Sequence, residues 1–150
     1  MWTLLTSTIL LALGTSTALA GVVTRCEGPD GYSYYFGGAL VPKNGAGWQK
    51  DGVTKGSYLV TRDAAGEYDI IFTDALNRTI SSREDGGQVV VVFQSNDRLI
   101  LIVHYPEMNI EVWYFSIDKN GIGKVTVSQA RYGSEALFNK HSLMTAVCSR

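Results

Sequence analysis

QVVVVFQSNDRLILIVHY, residues 88–105, decides the fold class. Val89-Val90-Val91-Val92-Phe93 and Leu99-Ile100-Leu101-Ile102-Val103 are apolar at every position and rich in β-branched residues. Each run is too short for a buried helix and has the length of a strand. Between the expected strands Gln88–Ser95 and Arg98–Tyr105, Asn96-Asp97 supplies residues that tolerate the backbone angles of a tight hairpin. Strands apolar on both faces are expected to be covered on both, and to sit centrally, because at an edge they invite aggregation.

The pattern extends outward from this hairpin. Further strands are expected over Ser57–Arg62, Glu67–Thr73, Asn77–Arg83, Asn109–Ile117, Gly123–Arg131 and Ala136–Cys148, separated by turns such as Asp63-Ala64-Ala65-Gly66 and Asp118-Lys119-Asn120-Gly121. Spacing of about ten residues leaves no room for the helical crossover of a parallel sheet. The chain therefore predicts an antiparallel all-β meander of about eight to ten strands, closed into a barrel or folded into a sandwich. Tyr32-Ser33-Tyr34-Tyr35-Phe36 reads as a strand before a long glycine-rich connection, Gly37 to Gly56. A connection of that length often hides a short element. Ala39-Leu40-Val41 is the expected one.

The first twenty residues have a different character. Residues 1–20 contain no Asp, Glu, Lys or Arg, carry an apolar run around Leu4–Leu13, and end in Ala18-Leu19-Ala20. That ending is the small-x-small pattern read by signal peptidase, and the run is shorter than the roughly 20 apolar residues that a membrane span needs. Cleavage near Ala20 is expected, leaving one all-β domain over residues 21–150 with no transmembrane segment, periplasmic or secreted. The chain holds two cysteines, Cys26 and Cys148. In an exported chain they are expected to form one disulfide that brings the first and last strands together.

Composition narrows the function. A formal net charge of -1 gives no electrostatic reason to expect nucleic acid as a partner. His104 and His141 have no ligand-spaced partners, so neither metal nor cofactor is expected. Ser116-Ile117-Asp118-Lys119 matches a Ser-x-x-Lys motif but ends a strand, without the partner motifs the chemistry requires. Glu107 with Glu111, and Glu67 with Asp69, are the carboxylate pairs that acid–base chemistry could use. Asn77-Arg78-Thr79 forms a glycosylation sequon. The aromatic residues are the most suggestive group: Tyr32 and Tyr34 before the long connection, Trp48 within it, and Trp113 on a strand face shared with Phe115 and opposite to Tyr114. Aromatic rings with polar handles suit a ligand pocket, so these four are the candidate binding residues.

The stretch Trp113–Gly123, with Ser142–Cys148, resembles small uncharacterised exported proteins of Gram-negative bacteria, which implies a periplasmic location and no particular activity. The expected function is non-enzymatic binding of a small apolar or sugar-like ligand or of a protein partner. The alternatives are a structural or interaction module of the cell envelope and a carboxylate-dependent hydrolase.

Overall fold

The computed structural model describes residues 21–38, 40–74, 76–120, 122–133 and 139–149. The proposed signal segment lies outside them. Among the described residues there is no α-helix; ten strands form one antiparallel sheet curled into a half-barrel. The strands are β1 (Gly21–Tyr35), β2 (Gly47–Gly52), β3 (Ser57–Arg62), β4 (Tyr68–Thr73), β5 (Thr79–Ser81), β6 (Gln88–Gln94), β7 (Arg98–Tyr105), β8 (Asn109–Ile117), β9 (Ile122–Arg131) and β10 (Lys140–Ser149). Their order across the sheet is β5-β4-β3-β1-β10-β9-β8-β7-β6, with β2 added beside β1.

Most neighbours are hairpin partners. The exceptions meet at β1, which serves two strands on one side: its first half pairs with β3 and its second half with β2. A change of register between Glu27 and Asp30, where Gly28 takes a positive φ of 66°, bends the strand between those tasks. Along its other side β1 runs against β10, and Cys26 faces Cys148 in that register, joined by the expected disulfide. The pairing joins the N-terminal meander to the C-terminal one.

Period-two alternation sets the core. On β8, Asn109, Glu111, Trp113, Phe115 and Ile117 are buried and the residues between them exposed, as expected for Trp113 and Phe115 against Tyr114. Leu99, Leu101, Val125, Val127, Met144 and Ala146 join them from neighbouring strands, and Val60, Tyr68 and Ile70 from β3 and β4. The curl brings β4 close to β6, so the two margins of the sheet approach each other around this core.

Two expectations are corrected. The long connection hides β2 and a single 3-10 turn at Lys43–Gly45; Leu40 and Val41 belong to no strand. β2 is polar and glycine-bounded, and what makes it a strand is the row of backbone partners offered by Tyr32–Tyr35. The second correction concerns the doubly apolar strands. β7 has one face buried, but β6 lies at the margin of the sheet with Val90, Val91, Val92 and Phe93 all exposed. Continuous apolarity here comes from an inner face that is only partly covered, at Val89, and an outer face that no described element covers. A bulge between Val91 and Phe93 disturbs the regular edge, one of the ways a sheet discourages strand addition. Val91→Lys should therefore leave stability within about 0.5 kcal/mol while raising the protein concentration at which heating causes aggregation, read by light scattering.

Candidate functional site

Curling the sheet stacks inward-facing residues into rows that run across the strands. Near the Asn109 end of β8, one row reads Tyr105, Asn109, Arg131, Lys140 and Tyr35, each a direct cross-strand partner of the next. The row beneath reads Glu111, Gln129, Ser142 and Ser33. Below these the inner face turns apolar, with Leu101, Trp113, Val127 and Met144 in register. Two polar rows thus stand over an apolar floor, and a cavity of about 250 Å³ opens between them. Tyr58 and Phe72 complete its wall from β3 and β4. The volume is near the lower end of the range for small-molecule sites, roughly 300–1,000 Å³.

Glu111 occupies the centre of the polar part. It is 8% exposed. Asn109 Nδ2 and Gln129 Nε2 each donate to its Oε1 at 2.7 Å, and Trp113 Nε1 donates to Oε2 at 2.9 Å. Burial pushes its proton affinity up, against these three hydrogen bonds and the nearby Arg131 charge. The same low-dielectric wall, with the Glu111 charge, pushes the Tyr105 hydroxyl up to about 12 and raises Tyr58 as well. A carboxylate has about four lone-pair sites, so one remains on Glu111 for a ligand.

A second network borders the cavity. Asp51 projects from β2 opposite Gly31, where an added Cβ would run into the Leu143 carbonyl. Asp51 Oδ2 accepts hydrogen bonds from Ser33 Oγ at 2.6 Å, Tyr35 Oη at 3.0 Å and Lys140 Nζ at 2.9 Å. Burial works to raise its pKa, but the Ser33 and Lys140 hydrogen bonds and the Lys140 charge outweigh it and hold the carboxyl at about 2, below its ordinary 3.8. A depressed acid stabilises the fold above its unfolded pKa and loses that contribution as pH falls through the folded value. Stability should therefore drop by about 1–2 kcal/mol between pH 4 and pH 2, after allowing for partial solvent screening. Comparing urea midpoints of the wild type and Asp51→Asn across that window should show the drop in the wild type and a smaller one in the variant.

Two buried polar atoms in the cavity wall have no hydrogen-bond partner among the described residues: Asn109 Oδ1 and Arg131 Nε. Buried polar atoms are ordinarily paired, with protein or with water, so an acceptor and a donor left open on adjacent strands mark the place where another molecule can bond.

The structure divides the aromatic candidates. Trp113 lines the cavity. Tyr34 and Trp48 lie on the convex face instead, in edge-to-face contact at 5.6 Å; Phe36 continues the cluster from Tyr34 to His141. Tyr32 is exposed on the same strand. Of the carboxylate pairs, Glu111 is buried in the site, whereas Glu107 occupies an exposed turn and Asp69 bonds Ser81 Oγ away from the cavity. The reading of single strands missed Asn109, Gln129, Arg131, Asp51 and Lys140. The signal that finds the first is phase: Asn109 and Glu111 fall on the same alternation as Trp113 and Phe115, so they are polar residues on a core-facing stripe.

Among the described residues no cluster of three potential metal ligands occurs, and no helix is long and apolar enough to cross a membrane. No protein-family model, curated protein or solved structure matches the chain.

Proposed function

We propose that the protein binds a small ligand inside its half-barrel, outside the cytoplasm, in the periplasm or after secretion. The observation that supports binding most directly is the cavity itself: an apolar floor of Trp113, Val127 and Met144 beneath buried polar groups, two of whose atoms are unpartnered. The disulfide and the character of residues 1–20 support the compartment. Nothing in this reading calls for catalysis; the wall orients a bound molecule and screens it from water.

Native followed by denaturing mass spectrometry of the exported protein tests it. A non-protein mass held only under native conditions is the expected result, and Val127→Phe, which fills the floor, should lose it while keeping the β-sheet circular dichroism signal. Overpacking of this kind costs about 1–3 kcal/mol, tolerable for a disulfide-bonded domain. Ligand-free wild-type protein that also shows no stabilisation by extracts of its compartment would sink the proposal.

The convex cluster of Tyr34, Phe36, Trp48 and His141 favours a second reading, recognition of an envelope protein. Trp48 is 66% exposed with its ring edge to face on Tyr34, so Trp48→Ala should reduce such binding and leave thermal stability nearly unchanged. Retained capture by the variant would count against this reading. Hydrolysis has a weaker basis. Glu111 and Asp51 have oppositely shifted proton affinities in one cavity, as an acid–base pair requires, yet three protein hydrogen bonds already engage the Glu111 oxygens. Turnover of chromogenic esters or glycosides that Glu111→Gln abolishes would establish it; turnover unaffected by that change would exclude Glu111.

A further inference from the structure

The open atoms of the cavity wall restrict what chemistry fits there. Asn109 and Arg131 are direct partners across β8 and β9, so their side chains leave adjacent strands on the same face. The Asn109 amide is oriented by Glu111: its nitrogen must face the carboxylate that it bonds, which leaves its oxygen on the other side of the amide, buried and unpaired. Arg131 Nε beside it can only donate. Asn109 is 4% exposed, so a group meeting its oxygen does so away from bulk solvent.

Consider the three simplest polar ends a small ligand could bring. A carboxylate would accept from Arg131 but would set its own oxygens against Asn109 Oδ1 and Glu111. An ammonium group would donate to Asn109 and Glu111 but would face the Arg131 cation. A hydroxyl donates and accepts through one atom and meets both open positions without burying a new charge. The charge around the cavity points the same way. Asp51 is paired with Lys140 and Asp74 with Arg78, which leaves two carboxyl groups, Glu111 and Asp85, and one cation, Arg131, among the charged lining residues. The excess of one acid disfavours an anion, and Arg131 disfavours a cation placed beside it.

We infer that the ligand is uncharged and hydroxylated, with its hydroxyl bridging Asn109 Oδ1 and Arg131 Nε and its carbon body lying on Trp113, Val127 and Met144. The inference rests on the cavity reading above and adds the class of molecule bound. Glu111, with one lone pair to spare, takes a second hydroxyl where the ligand has one, so a polyol or sugar ring fits better than a simple alcohol of equal size. The polar rows have a positioning role; the floor supplies contact area.

Three probes of one carbon skeleton test the inference at pH 7: benzyl alcohol, benzoate and benzylammonium, titrated into the intact disulfide-bonded protein. Binding is read from the Trp113 indole N–H resonance. Benzyl alcohol should bind at least tenfold more tightly than either ion. Arg131→Met should erase the alcohol's advantage over benzylammonium, because the repelling cation and the donor are both removed; the wild-type series decides the matter even where that variant folds poorly. Equal or tighter binding of either ion by the wild type overturns the inference and leaves the cavity reading standing. Persistence of the tenfold preference in a folded Arg131→Met variant overturns the role given to Arg131 Nε and with it the bridging hydroxyl. Failure of all three probes to perturb Trp113 removes the cavity reading itself.

Discussion

Reduction of the Cys26–Cys148 disulfide should lower the free energy of unfolding by about 4–5 kcal/mol. The two residues are 122 apart in sequence, so the bond closes nearly the whole described chain into one loop and removes a large share of the unfolded state's freedom. Its position adds to this effect. β1 and β10 form the joint between two meanders whose other contacts are largely local hairpins, so loss of this pairing separates the sheet into halves. Urea unfolding of oxidised and reduced protein, with Cys26→Ala/Cys148→Ala as the permanently reduced form, should show the shift in midpoint. A difference below about 1 kcal/mol would mean that the strand pairing alone defines the joint.

Trp113→Ala should cost about 3–5 kcal/mol. The side chain is buried against Tyr58, edge to face at 4.7 Å, and stacked with Phe115 at 6.1 Å. It also donates from Nε1 to Glu111. Truncation opens the floor of the cavity and takes one of three donors from a buried carboxylate. Trp113→Phe separates the two effects: it keeps an aromatic ring in the floor and deletes the donor, for which about 1–3 kcal/mol is expected. Because ionised Glu111 is then less well solvated, the loss should shrink as falling pH protonates Glu111, whose proton affinity burial raises. A loss that stays constant across the acid range would show that Glu111 contributes little through Trp113.

Much of the fold was legible in local chemistry. From Ser57 onward the strands follow their turns: Gly66 and Gly86 take the positive φ that the turn residues promised, and β3, β7 and β8 begin and end as expected. The cysteines foretold the meeting of β1 with β10. What escaped was whatever depends on a neighbour. β2 carries Trp48, Gln49, Lys50 and Asp51, a sequence with little strand preference, and is held by its pairing to β1. The apolar run of β6 read as central because a continuous run does not say whether anything lies against it. The same limit applies to the site. Trp113 and Glu111 could be placed on a face from one strand alone, but Arg131, Lys140 and Asp51 enter the cavity through the register of four successive strand pairings.

The strand order also sets a timetable. β1 leaves the ribosome long before its partner β10, so the middle of the sheet cannot assemble until nearly all of the described chain has been made. Pairings between such distant segments form slowly compared with hairpins. Until then β6 has only β7, and β7 has its hairpin partners β6 and β8. A topology of this kind postpones its own closure until the described strands are almost all present.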